Sequence, residues 1–213
     1  MKDLLLDIIT HDLKNPIGVI HGMIKMLAEE CQDKEIISVI ERSSEDILKV
    51  VNNATTLSQV AMDEAIECKD LNLHEMSVTI LNGYKSALQS AGMKVVNNIP
   101  EDTIIHAHPV IEEVFKNYIS NAIKYAAQGK MLELDVEQDD GIICVMVRDA
   151  GTPIPEEEYD NIFERNLQLD KVERRGRGLG LAIVKRIAEA HNGRVGVKRN
   201  QPTGNCFFLE LPR

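Results

Sequence analysis

The chain has 213 residues, enough to bury one large core or two modest ones. A formal net charge of −10 excludes nucleic acid as the main partner, because neutralising phosphates takes clustered Lys and Arg. Apolar residues make up 44 %, yet no run approaches the ~20 residues of a membrane span and no signal-peptide pattern opens the chain. No membrane contact is therefore expected of this segment, and a cytoplasmic chain, or the soluble core of something larger, is the expectation. Cys31, Cys68, Cys144 and Cys206 lie far apart without a C-x-x-C pair, which fits free thiols in a reducing compartment.

The first 66 residues carry one rhythm. Leu6, Ile9, Leu13, Pro16, Ile20, Met23 and Leu27 recur at steps of three and four. After a break near Cys31–Lys34 the rhythm returns in Ile36, Ile40, Ser43, Ile47, Val50, Ala54, Leu57 and Ala61. Such a seam predicts a coiled-coil-like α-helical hairpin. Two helices bury little alone, so two copies are expected to pair as a dimeric four-helix bundle.

From about Leu71 the pattern changes. The spacing predicts a helix near 73–91, short strands at Val95–Ile99 and Ile104–His106, and a helix from Pro109 to about Gln128. Apolar runs at Met131–Glu137 and Ile142–Arg148 predict two strands joined by Asp139-Asp140-Gly141. A loop of roughly thirty residues follows, with one short helix expected at Glu156–Phe163, and loops of that length usually carry function. A helix from about Leu179 to Ala190 and strands at Arg194–Lys198 and Cys206–Leu211 complete an α/β sandwich with one mixed sheet and helices on one face.

Four stretches carry chemistry. In Thr10-His11-Asp12-Leu13-Lys14-Asn15-Pro16, seam positions at Leu6 and Ile9 turn His11 outward, with Asn15 one turn on. Asp12 can accept the ring proton and leave the other imidazole nitrogen free to attack. On these residues alone an ordinary surface histidine is an equal account. In Glu113–Tyr125, the residues Glu113, Asn117, Asn121 and Lys124 share a helical stripe opposite Val114, Phe115, Ile119, Ala122 and Ile123. Amide oxygens suit a hard cation such as Mg²⁺, and Lys124 suits phosphate, whereas the plainer account is a solvated polar face. Asp149-Ala150-Gly151-Thr152 ends a buried strand, where a carboxylate can accept an exocyclic amine and Gly151 lets backbone approach a base. Alone, it reads as a turn. Gly176-Arg177-Gly178-Leu179-Gly180-Leu181 opens a helix whose N–H groups can face phosphate, but it is neither a P-loop nor a dinucleotide fingerprint.

Taken in order, these stretches resemble the histidine kinases of two-component signalling, over essentially the whole chain. His11–Pro16 resembles the H box, Asn117–Tyr125 the N box, and Asp149–Gly151 the first glycine box. Ile162-Phe163-Glu164 resembles the F box, Gly176–Leu181 the second glycine box, and Gly204–Pro212 the family's last strand. The resemblance implies a dimerisation and phosphotransfer hairpin at 1–68 and a Bergerat-type ATP-binding domain at 69–213. It implies autophosphorylation on His11 from ATP with Mg²⁺, Asp12 as acid/base partner, and transfer to the receiver domain of a response regulator. Asn121 would bind the metal, with Asn117 and Glu113 in support. Lys124 would meet phosphate, Tyr125 the base or ribose, and Asp149 the adenine amine, with Gly151, Gly176, Gly178, Gly180 and Leu181 lining the nucleotide. The segment from Glu164 to Arg177 would be a lid, and Glu67–Asn72 a linker about which the ATP domain swings. Asp12 and Asn15 also fit the pattern of relatives that dephosphorylate their regulator.

Two positions depart from the pattern. Pro153 stands where the first glycine box has its second glycine, which predicts a stiffer loop, and Asn166 stands where the F box has a second aromatic. They support the alternative of a phosphatase-dominated or degenerate nucleotide-binding scaffold. A gyrase-, mismatch-repair- or chaperone-like ATPase would share the ATP fold but has no reason to carry an H box. His21, His74, His106, His108 and His191 are expected to be packing or surface residues.

Overall fold

The computed structural model describes residues 67–139, 141–164 and 179–213, and before them Pro16, Gly18, Val19, Ile20, Gly22, Met23, Val39, Ile40, Ser43 and Ile47. The chain divides into two compact units, Met1–Asp63 and Glu64–Arg213. In the first unit every described residue is helical. Pro16 and Ser43 are buried, Ile20, Met23, Ile40 and Ile47 are half-buried, and Gly18, Val19 and Gly22 are exposed. The described seam positions are thus buried or half-buried, while off the seam Gly18, Val19 and Gly22 are exposed and Val39 is half-buried. The remainder of the expected hairpin lies outside the described residues.

The second unit runs β1 (Lys69–Asn72), α1 (Leu73–Gly83), α2 (Lys85–Ser90), β2 (Lys94–Asn97), β3 (Ile104–Ala107), α3 (Glu112–Tyr125), β4 (Met131–Gln138), β5 (Ile142–Asp149), α4 (Leu179–Ala190), β6 (Arg194–Arg199) and β7 (Asn205–Pro212). Five strands form one sheet in the order β2-β4-β5-β7-β6, with β2 parallel to β4 and every other pair antiparallel. β1 and β3 form a separate antiparallel ribbon. A mixed sheet with helices against it is the architecture the apolar patterning predicts.

The register explains the layers. Leu134 pairs with Val147, Val147 with Phe207, and Phe207 with Val197, so one sheet face is a continuous apolar surface. α3 lies on that face: the Tyr118 ring is 5.2 Å from the Phe207 ring, and its hydroxyl donates to the Phe208 carbonyl at 3.0 Å. Val114, Phe115, Ile119 and Ala122 of α3 and Ile183, Val184, Ile187 and Ala188 of α4 are all buried. The opposite face carries Glu133, Asp135, Arg148 and Glu210, with ion pairs Arg148–Asp135 and Arg194–Glu210. No helix among the described residues is long and apolar enough to cross a membrane.

Four boundaries differ from the sequence expectations. Residues 69–72, expected within a linker, are β1, in which Asp70 meets the ring of His106 on β3 at 2.9 Å. The helix expected over 73–91 breaks at Tyr84, directly after Asn82-Gly83, a pair of poor helix formers. The helix expected from Pro109 is a 3₁₀ turn at Pro109–Ile111, capped by His108 Nδ1 accepting from Val110 N, before α3 begins. Glu156–Phe163 is two 3₁₀ turns, Glu156–Glu158 and Asn161–Phe163, rather than one short helix.

Candidate active site

β5 ends in Asp149, whose neighbour across the sheet is Leu132. Asp149 is only 4 % exposed. Its Oδ1 accepts from Gly151 N at 2.8 Å, Asn205 N at 3.3 Å and Asn205 Nδ2 at 3.2 Å. Burial pushes the carboxyl above its ordinary range, and these hydrogen bonds oppose the shift by favouring the charged form. Oδ2 has one contact among the described residues, Asn205 Nδ2 at 3.4 Å. It therefore keeps lone-pair capacity for an outside donor.

The loop beyond Asp149 is clamped on both sides. A Cβ on Gly151 would stand 2.6 Å from the Ala126 side chain at the end of α3, so the glycine lets the loop close onto that helix. Gly204 has φ +104, and a Cβ there would meet the Asp149 carbonyl oxygen at 2.0 Å. Only glycine fits both the conformation and the space. Gln128 Nε2 donates to Thr152 Oγ1 at 2.7 Å. Asn205 Nδ2 donates to the Thr152 carbonyl at 3.0 Å, and its Oδ1 accepts from Ile154 N at 2.7 Å. Pro153, expected to stiffen this loop, thus sits between two residues tied to one side chain.

The α3 stripe faces α4. Asn117 Nδ2 donates to the Glu113 carbonyl at 2.7 Å, and Asn117 Oδ1 lies 2.3 Å from where a Cβ on Gly180 would stand. Asn121 is half-buried, and its side-chain amide makes no hydrogen bond to a described residue. A mid-helix asparagine with an uncommitted amide oxygen fits a hard cation that also takes phosphate oxygens. The Glu113 carboxylate is engaged differently: Lys116 Nζ donates to it at 2.7 Å and lies 3.4 Å from Glu112. Burial works against the charged Lys116 ammonium, but its two glutamate partners outweigh this and raise its pKa. Lys124 and Tyr125 are exposed in the last turn of α3, and Leu181 is half-buried in the first turn of α4.

The structure thus brings Asn117 to Gly180, and Gly151 to Ala126, the residue that follows Tyr125 at the α3 C-terminus. It engages Glu113 with Lys116. His11, Asp12, Asn15, Gly176, Gly178 and Asn166 lie outside the described residues. Sequence patterning misses Asn205, because a Gly-Asn pair before a strand reads as an ordinary turn. His191 ties α4 to the segment before α3. Its Nε2 accepts from His108 N at 3.0 Å and its Nδ1 donates to the Ile187 carbonyl at 2.7 Å, which fixes a neutral ring. Among the described residues no three His, Cys, Asp or Glu side chains form a metal-binding group.

A family model described as "Histidine kinase-, DNA gyrase B-, and HSP90-like ATPase" matches residues 107–213. The "His Kinase A (phospho-acceptor) domain" model matches residues 1–61. The chain belongs to the histidine kinase family. It is 32 % identical to the sensor protein kinase WalK of Staphylococcus epidermidis, over 96 % of this chain and 35 % of that protein. It is 28 % identical to the autoinducer 2 sensor kinase/phosphatase LuxQ of Vibrio vulnificus, over 95 % of this chain and 25 % of that protein. The chain therefore spans about a quarter to a third of these relatives. Among solved structures, the Acinetobacter baumannii histidine kinase AdeS superposes with a TM-score of 0.77 at 21 % identity, over 95 % of this chain and 97 % of that one. The histidine kinase ThkA in complex with the response regulator protein TrrA gives 0.73 at 22 % identity, over 96 % and 59 %. Full-length ShkA in complex with AMPPNP gives 0.68 at 23 %, over 99 % and 45 %.

Proposed function

We propose that this chain is the catalytic core of a two-component histidine kinase, in which residues 69–213 bind Mg-ATP and residues 1–68 carry the accepting His11. The observation that carries the nucleotide site is Asp149: a buried carboxylate with one oxygen saturated by protein donors and the other left to accept. An adenine 6-amino group is the donor that fits, with Gly151 beneath the base and Tyr125 beside it. The triphosphate would lie along Asn117, Asn121 and Lys124 toward the N-terminus of α4, where the N–H groups of Gly180 and Leu181, preceded by Gly176 and Gly178, favour anions. Asn121, with Asn117 and Glu113, would hold Mg²⁺, which supplies neutralisation of phosphate charge. Glu113 would take that part through Oε2, since Lys116 Nζ engages Oε1.

The reaction breaks the bond between the γ-phosphorus and its bridging oxygen, leaving ADP, and forms a phosphorus–nitrogen bond on the His11 ring. Asp12 accepts the ring proton. The phosphoryl group then passes to an aspartate of a response-regulator receiver domain, a partner named in the ThkA complex. Two chains would pair through the hairpin as a homodimer, and the working location of this segment is the cytoplasm. The Asp12–Asn15 spacing supports regulator phosphatase activity at the same site, and LuxQ is named a sensor kinase/phosphatase.

The whole sequence of steps is tested by chasing label from γ-labelled ATP onto a purified receiver domain. Transfer is expected with the wild-type chain and not with His11→Ala. Label on the receiver with His11→Ala would overturn the reading.

A further inference from the structure

Asn205 is one of few buried polar side chains among the described residues, and it holds both ends of the loop that carries Asp149. We infer that Asn205 is the positioning residue that aims the Asp149 carboxylate, by stitching the Thr152–Ile154 turn across Pro153 with the same amide that holds Asp149.

An asparagine amide offers two N–H donors and one acceptor oxygen. Here the whole set is used. Nδ2 reaches Asp149 Oδ1 at 3.2 Å and the Thr152 carbonyl at 3.0 Å, while Oδ1 takes the Ile154 N–H at 2.7 Å. The backbone N–H of the same residue adds a contact to Asp149 Oδ1 at 3.3 Å. Residue 153 is proline and has no N–H with which the turn could close on itself. The side chain of a residue 51 positions on from Ile154 supplies that closure instead. Its second consequence is selective. By directing its shorter contacts to Oδ1 and only a 3.4 Å contact to Oδ2, it leaves Oδ2 with capacity for an incoming N–H and fixes the plane in which that acceptor points. Gly204 makes this possible, since its lack of a side chain lets the start of β7 lie against the Asp149 carbonyl.

The inference rests on Asp149 accepting the adenine amine, and the test separates the two. Dissociation constants of ATP and of purine riboside 5′-triphosphate, which lacks only the 6-amino group, are measured with Mg²⁺ on the full chain by calorimetric titration. A hydrogen bond to a charged acceptor corresponds to a preference for ATP of roughly 10-fold or more. In Asn205→Ala that preference falls to about 3-fold or less, with the affinity for the purine analogue nearly unchanged. Circular dichroism reports whether the variant folds. If it does not, Asn205→Thr decides, since threonine keeps one donor for Asp149 but cannot also span Thr152 and Ile154, and its preference must likewise fall. A wild-type preference that survives in the folded variant, with both nucleotides weakened equally or not at all, overturns the positioning role alone. A wild-type chain that does not distinguish the two nucleotides overturns the reading of Asp149 and this inference with it.

Discussion

Asn117 Oδ1 stands 2.3 Å from the place a Cβ on Gly180 would occupy, so α3 and the first turn of α4 approach more closely than any other residue at 180 would allow. Gly180→Ala is expected to lower stability by about 1–3 kcal/mol, the cost of forcing a methyl into packed space. The clash is with a side-chain end, so Asn117→Ala in the same chain should restore much of the loss. Thermal unfolding of the two single variants and the double variant measures this coupling. Additive losses would show that the contact is not made.

Gly204→Ala should be worse. It imposes a side chain at φ +104 and drives a Cβ into the Asp149 carbonyl oxygen, which is backbone and cannot swing away. A drop of at least about 2 kcal/mol in urea unfolding is expected from strain and clash together. Loss of nucleotide binding should accompany it, because the displaced atoms include those of Asp149.

Asp149→Asn separates charge from shape. The amide oxygen can still accept from Gly151 N and Asn205 N, and the substitution removes a buried charge whose carboxyl is already pushed up by burial. Stability should therefore change by less than about 1 kcal/mol, while affinity for an ATP analogue falls roughly 10- to 100-fold for the lost charged acceptor. Equal affinity in calorimetric titration would remove Asp149 from the nucleotide site.

His191 makes stability depend on pH. Burial holds it below its ordinary 6.5, with the nearby His108 adding to the effect. The unfolded chain takes up a proton near 6.5 and the folded chain only at lower pH, so the neutral ring's contribution is complete above 6.5 and is lost as pH falls through the folded value. Protonation also destroys the acceptor that Nε2 offers to His108 N. Urea midpoints at about pH 7.5 and 5.5 should fall more on acidification in the wild type than in His191→Gln. An equal fall in both would assign the acid limb to other groups.

The sheet and the two long helices of the second unit were legible because Met131–Gln138, Ile142–Asp149 and Leu179–Ala190 repeat apolar residues at the period of their structure. β1 was not, since Lys-Asp-Leu-Asn is short and polar and offers only Leu71 to the buried face that Ile105 and Ala107 supply from β3. The stripe Asn117–Asn121–Lys124 could be read from helical spacing alone, but the hold of Lys116 on Glu113 could not, because spacing does not say which of several near neighbours a long side chain takes. Asn205 was invisible for a plainer reason. Its bonds run to residues 51 to 56 positions earlier, and only the folded β5–β7 pairing brings them within reach.

Phosphorylation of His11 by ATP is decided by incubating the full chain with γ-labelled ATP and Mg²⁺ and locating the label. An acid-labile, base-stable phosphate is expected on His11 in the wild type, none in His11→Ala, and a large loss in Asn121→Ala with the fold retained. A histidine label that persists in His11→Ala would show that His11 is not the acceptor.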